Sequence, residues 1–306
     1  MKACFLFPGQ GAQYIGMGKD FYETSTAAKE IFDMASEISK LDLKKLIFEG
    51  TEDDLKQTRV TQIALAVVEA AASSCIRDYG TKASGAAGFS LGEWPALVEA
   101  GFLDLPVMFR LVAERGRLMA EAGERSGGSG MAAVLGLAPE AIEAALKGAG
   151  IDDVWPANLN SSSQTVVSGT ESGLGKIEVP LKAAGAKRVI RLKVSGAFHS
   201  PIMKYAYDGF KELLSDVEFK DAKIPFYSNV TGGIITSGAE AKRCAAEQII
   251  SAVRWVEEEK AILAAGFDAC LEAGPGTVLG GLWKSVTETV PCHPCGTVDQ
   301  VAAISL

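Results

Sequence analysis

A chain of 306 residues with 30 Lys+Arg against 38 Asp+Glu, a net charge of −8 and a pI near 5.0 is not built to bind nucleic acid. Its length and 48% hydrophobic share allow a large core, as one big domain or a domain with a smaller one inserted. Only two histidines, His199 and His293, are available as an imidazole base, which also argues against a His-rich metal centre.

Lys2 to Phe7 is a short apolar run that stops at Pro8-Gly9-Gln10-Gly11, the pattern of a strand entering a glycine loop. A secretory h-region needs about 7–15 apolar residues, more than this run offers. The longest stretch free of Asp, Glu, Lys and Arg, Val154 to Thr170, contains Asn158, Asn160 and Gln164 and is no membrane span. The expectation is therefore a cytoplasmic protein with no membrane partner. Gly11 to Lys19 resembles a phosphate-binding loop, but no Ser or Thr follows the displaced Lys, and Tyr14 occupies the last position of G-x-G-x-x-G; nucleotide binding is rejected there.

Thr61 to Ile76 is rich in Ala and Val and predicts a helix. Ala83 to Phe89 predicts a buried strand, followed by a tight turn at Ser90-Leu91-Gly92-Glu93 and a second helix. Gly88-Phe89-Ser90-Leu91-Gly92 fits G-x-S-x-G, in which a serine on a sharp strand-to-helix turn exposes its Oγ above a sheet; the plain alternative is a Gly-Ser turn. Pro95 removes a backbone donor early in that helix, which implies a later start or a bend. Strands alternating with helices predict a mostly parallel sheet covered on both faces.

Between Leu105 and Met119, positions 108, 111, 112, 115 and 119 share one helical stripe, and the residue at 115 is arginine. A guanidinium on a core-facing stripe needs a partner. It either pairs with an internal carboxylate, which periodicity alone favours, or waits for a ligand carboxylate, which its planar fork binds through two hydrogen bonds.

The middle of the chain changes rhythm. Strands are expected at Gly130 to Leu137, Val154 to Asn158, Thr165 to Ser168 and Lys187 to Val194, with helices at Pro139 to Lys147 and Glu171 to Ala184. This β-α-β-β-α-β order is that of ferredoxin-like units. Ser126 to Gly130 and Ser195-Gly196 read as its hinges. The expected domains are a large α/β domain of residues 1–124 and 196–306, and an inserted small domain of residues 125–195.

A serine nucleophile needs a base. His199, in a loop after a predicted strand, is better placed than His293 in the Pro- and Cys-containing tail. Cys292-His293-Pro294-Cys295 lacks the second ligand pair of a zinc site, so ordinary reduced thiols near a turn are expected. Glu272-Ala273-Gly274-Pro275-Gly276 reads as a strand end and a turn without chemistry of its own.

Taken together, the chain resembles the malonyl-CoA:acyl carrier protein transacylases from Phe7 to about Leu282. The blocks are Phe7-Pro8-Gly9-Gln10-Gly11-Ala12-Gln13, Thr61-Gln62, Gly88-Phe89-Ser90-Leu91-Gly92-Glu93, Glu114-Arg115-Gly116, Asn160 to Gly169 and Gly196-Ala197-Phe198-His199-Ser200-Pro201. Ser228-Asn229-Val230-Thr231-Gly232, Val253-Arg254-Trp255 and Glu272 to Gly276 continue them. The resemblance implies an α/β-hydrolase-like large domain. It implies Ser90 as acyl acceptor, His199 as base, and Gln10 with the Leu91 N–H as oxyanion hole. It implies that Arg115, placed by Gln62, holds the malonyl carboxylate, which reverses the periodicity reading. Asn160 and Gln248 would lie near His199, whose second ring nitrogen would bond a backbone carbonyl. Phe198 favours malonyl over branched units in relatives. One departure is Phe89, where the family usually has His.

The implied substrates are malonyl-CoA and phosphopantetheinylated acyl carrier protein, with no metal or bound cofactor, and a monomer is expected. An acidic carrier protein would need a local basic patch on this acidic chain. Lys187, Arg188, Arg191 and Lys193 are the candidates, a solvated face being the alternative. Rival readings are a serine esterase, with Asp152 or Asp153 as its acid, the trans-acting acyltransferase of a polyketide pathway, and a non-catalytic subunit that binds carrier protein.

Overall fold

The computed structural model describes residues 1–304. Strand β1 (Ala3–Phe7) leads, through four helices between Lys19 and Lys56, to helix α1 (Thr58–Asp78), strand β2 (Ala83–Gly88) and helices α2 (Glu93–Glu99) and α3 (Leu105–Arg125). Then come β3 (Ser129–Leu135), α4 (Pro139–Gly148), β4 (Val154–Ser161), β5 (Gln164–Thr170) and β6 (Arg188–Arg191). The chain continues through β7 (Phe226–Tyr227), β8 (Ile234–Ile235), α5 (Trp255–Ala264), β9 (Ala269–Glu272), α6 (Val278–Trp283) and β10 (Cys292–Pro294).

Two sheets result. The first runs β10-β9-β1-β2-β7-β8, all pairs parallel except β7 with β8. Its central strands β1 and β9 are buried at every position, as expected for a parallel sheet with both faces covered. The second is antiparallel and runs β4-β5-β3-β6. It has its own apolar core, built from residues such as Val134, Ile142, Val167 and Leu181. The two units are also joined: Met131, Ala157 and Val166 belong to the main core, and Leu159 N donates to Val253 O (2.8 Å) while Val253 N donates to Ala157 O (2.9 Å).

Helix α1 is long and apolar enough to cross a membrane, but 89% of its most apolar window is buried inside the protein. It is a core helix, packed against α3 and rich in alanines that let neighbouring elements approach closely.

Several sequence expectations shift. Pro95 is compatible with a helix that starts at Glu93, because it falls among the first N–H positions, which have no intrahelical acceptor. The helix expected over Glu171 to Ala184 is two short ones, Glu171–Leu174 and Glu178–Ala183, with Gly175 at the break. The last strand of the small unit is only Arg188–Arg191, although Leu192 N still donates to Met131 O (2.9 Å) of β3. Cys292 to Pro294 is an edge strand rather than a turn, and Cys4, Cys270 and Cys292 stand in register across three neighbouring strands. All six cysteines are free thiols. Glu272 is more than a strand end, because its carboxylate accepts from Leu279 N (2.9 Å) and Gly280 N (2.8 Å) and so caps α6.

Candidate active site

The strand-turn-helix at Ser90 is forced by its glycines. A Cβ at Gly88 would lie 2.0 Å from the Gly92 carbonyl, and one at Gly92 would lie 2.1 Å from Phe7 O. Only hydrogen fits at either position, so the chain can fold back tightly enough to leave Ser90 with φ 53°, in the left-handed region. Leu91 follows in a short 3₁₀ turn over Ser90–Gly92 that leads into α2.

His199 sits across from the serine, also with positive φ (58°), and is 4% exposed. Its Nε2 is 2.7 Å from Ser90 Oγ, and its Nδ1 is 2.8 Å from Gln248 O. A backbone carbonyl thus occupies the place a carboxylate holds in a triad, and it fixes the tautomer that leaves Nε2 free to accept. Burial, with the nearby Arg115 charge, pulls the imidazole pKa down to about 4. At neutral pH the ring is therefore neutral, the form that accepts a proton. The sign follows: kcat/KM for an acyl thioester should stay level as pH falls past about 6.5, the ordinary imidazole value, and drop only near about 4. A break near the ordinary value would show that His199 is not desolvated.

Arg115 lies on the buried face of α3, 1% exposed. The internal carboxylate that periodicity favoured is not bonded to it. Its Nη1 donates to Gln62 Oε1 (2.7 Å), and its Nη2 donates to Gln248 Oε1 (2.8 Å) and to Ser90 Oγ (3.3 Å). Its Nε is buried without a partner. Glu93 is the nearby acid, and burial lifts its pKa to about 7, so it supplies at most partial compensation. Arg115 itself, lowered by burial to about 10, stays charged at neutral pH. A buried, charged guanidinium bonded to neutral amides is complementary to an incoming carboxylate.

Ser90, His199 and Arg115 open into a cavity of about 340 Å³ between the two sheets. Gln10, Leu91, Gln62, Asn160 and Phe198 line it too, while Gln248 lies beneath the site. Gln10 lies in the loop after β1, and Leu91 in the turn after β2. Asn160 is buried with its Oδ1 unpartnered, the second sheet adds Met131, Gln164 and Val166 to the wall, and Leu192, just past β6, completes it. Phe89 turns its ring onto Trp255 (centroids 5.5 Å apart, T-shaped) and lines the cavity beside Ser90, so the change from the family residue leaves the elbow intact.

Three polar residues at the site carried no role in the sequence reading. Asn229, Glu93 and Glu258 are buried around the elbow and bonded to one another through Asn229. Glu93 had a local signal, an acid next to the elbow in a segment otherwise buried. Asn229 and Glu258 had none beyond the block in which Asn229 stands.

An elbow serine hydrogen-bonded to a buried histidine, with a buried guanidinium beside it, has the geometry that a serine nucleophile and its base require. The chain belongs to the acyl transferase family: the family described as "Acyl transferase domain" matches residues 4–297. It is 42% identical over 287 residues to the malonyl CoA-acyl carrier protein transacylase of Bacillus subtilis, covering 93% of this chain and 90% of that protein. Among solved structures it is similar to the malonyl CoA-acyl carrier protein transacylase of Coxiella burnetii, with TM-score 0.94, 33% identity, and coverage of 99% and 96% of the two chains. It is also similar to a malonyl-transacylase in complex with its type II polyketide acyl-carrier protein, with TM-score 0.93, 34% identity, and coverage of 99% and 98%.

Proposed function

We propose that this chain transfers a malonyl group from malonyl-CoA to the phosphopantetheine thiol of acyl carrier protein by way of a malonyl ester on Ser90, supplying extender units for fatty-acid synthesis. The observation that carries the choice of acyl group is Arg115: a buried cation bonded to amides rather than to an acid, beside the serine. In the first half-reaction Ser90 Oγ attacks the thioester carbonyl and its proton passes to His199 Nε2. The carbonyl oxygen takes up charge facing Gln10 and the Leu91 N–H. The C–S bond breaks, and His199 returns the proton to the CoA sulfur. The second half-reaction runs the same steps backwards with the carrier thiol as nucleophile. Gln62 and Gln248 hold Arg115, Asn160 contributes to the polar wall near His199, and Phe198 narrows the acyl pocket against an α-methyl group, a discrimination of about 1–3 kcal/mol. The scheme needs no resident cofactor.

In the same reading the large unit is hydrolase-like, which its strand-serine-helix elbow supports. The small unit, residues 125–195, is ferredoxin-like, which the order β4-β5-β3-β6 supports. The protein works as a cytoplasmic monomer. A serine esterase shares the elbow and the histidine but has no use for a buried guanidinium. The malonyl reading is tested by intact mass after mixing with malonyl-CoA: one malonyl adduct is expected on the parent chain and none on Ser90→Ala. No adduct on the parent chain would end the proposal, and rapid turnover of neutral esters without adduct would favour the esterase.

Carrier protein is proposed to dock at β6. Lys187, Arg188, Arg191 and Lys193 are exposed on or just beyond this edge strand. Arg191 is partly engaged by Glu171, which leaves Lys187, Arg188 and Lys193 as the free charges of the patch. Reversing Lys187 and Arg188 to Glu should raise KM for carrier protein while sparing acylation by malonyl-CoA, an effect that weakens with salt. Equal losses in both half-reactions would remove the patch from the docking surface.

A further inference from the structure

We propose that Asn229 is a positioning residue that clamps the elbow from both sides and so sets the aim of Ser90. This rests on the reading of Ser90 as acyl acceptor and adds a residue that the scheme above does not use. Asn229 follows β7, the neighbour of β2, so the ends of both strands bring it level with the elbow. It is fully buried. Its Oδ1 accepts from Ser90 N (2.8 Å), and its Nδ2 donates to Gly88 O (2.8 Å). One amide therefore ties the residue before the turn to the residue at its apex, whose φ of 53° is intrinsically unfavourable for serine.

The amide is in turn held in one orientation. Asn229 N donates to Glu93 Oε1 (2.7 Å), and Nδ2 also donates to Glu258 Oε1 (2.8 Å). Gln248 Nε2 donates to Asn229 Oδ1 (3.1 Å) and to Ser90 O (2.9 Å). Both backbone polar groups of the nucleophile are thus fixed by side chains that no substrate needs to touch. Glu258 is fully buried, its Oε2 has no partner, and its one bond among these residues goes to Asn229.

The test follows Ser90 labelling in single turnover by intact mass, with malonyl-CoA and, separately, with a neutral fluorophosphonate. The latter forms an O–P bond as fluoride leaves and the serine proton passes to His199. For Asn229→Ala the labelling rate constant should fall about ten- to a hundredfold with both reagents, because small misplacements of a nucleophile cost that much. KM for malonyl-CoA should stay within about threefold, since Arg115 is untouched. Asn229→Asp keeps the acceptor for Ser90 N but loses the donor to Gly88 O, and should be comparably slow. A purely structural role would lower the labelled fraction and leave the rate constant of the labelled sites unchanged; that result overturns the proposal.

Should the Asn229 variants not fold, Glu258→Leu decides. It removes a half-unpartnered buried carboxyl, so it should fold, and it takes away one of the bonds that hold the Asn229 amide against Gly88 O and Ser90 N. A loss of about three- to tenfold in the same rate constant is expected. A rate equal to the parent chain's overturns the clamp. If the parent chain takes the fluorophosphonate but not malonyl-CoA, the malonyl reading fails while the clamp is still decided by the fluorophosphonate series.

Discussion

Replacing His199 with Ala should cut the rate of Ser90 acylation by malonyl-CoA about 10²- to 10⁴-fold, the usual worth of a positioned general base. The imidazole stands 2.7 Å from Ser90 Oγ, and within the described residues the other histidine, His293, is on an edge strand of the first sheet, outside the cavity lining. No second imidazole can take over. The loss should fall on kcat, with KM for malonyl-CoA little changed, because the grip attributed to Arg115 does not involve the ring. Single-turnover mass measurements read this directly. A loss under about tenfold would mean that the proton leaves Ser90 by another route, and the other side chain bonded to its Oγ is Arg115 at 3.3 Å, which cannot accept it.

Arg115→Ala should invert the choice of acyl group. Loss of a buried, hydrogen-bonded charge partner costs about 2–5 kcal/mol, or roughly 30- to several-thousand-fold in kcat/KM for malonyl-CoA. Part of that loss is shared by every substrate: the change strands Gln62 Oε1 and Gln248 Oε1, and Gln248 also holds Ser90 O and His199. The ratio of malonyl-CoA to acetyl-CoA turnover removes the shared part and isolates the carboxylate contact. That ratio should collapse. Its persistence would assign recognition of the carboxylate to another group. Arg115→Lys should recover little, because a point charge cannot replace a fork that spans two amides and a ligand.

Both predictions depend on features of differing legibility. The elbow was readable because its constraint is local. Gly88 and Gly92 are needed within five residues of chain, so spacing alone carries the geometry, and the structure shows the near-contacts that enforce it. The order of the small unit's elements was readable from local periodicity along the chain, but the sheet order β4-β5-β3-β6, which separates β3 from β4 and β5 from β6, was not. Arg115 was readable only in part: helical periodicity placed it on the buried face of α3 but could not name its partners. They are Gln62 and Gln248, 53 and 133 residues away, and they are amides where an acid was the expectation. The break between the two short helices at 171–183 was missed because the apolar pattern runs through it.

Short-range spacing and scarcity, both written in the chain, were enough for the strand-serine-helix turn, the pairing of Ser90 with one of two histidines, and the burial of Arg115. Who meets whom across the first sheet was settled only on folding. Asn229 stands at the end of β7 beside Gly88, Gln248 under Arg115, and Glu258 behind Asn229. The physical reason is that burial is encoded residue by residue, whereas a hydrogen-bond partner is chosen by strand order and register, which bring together ends of the chain that no local pattern connects.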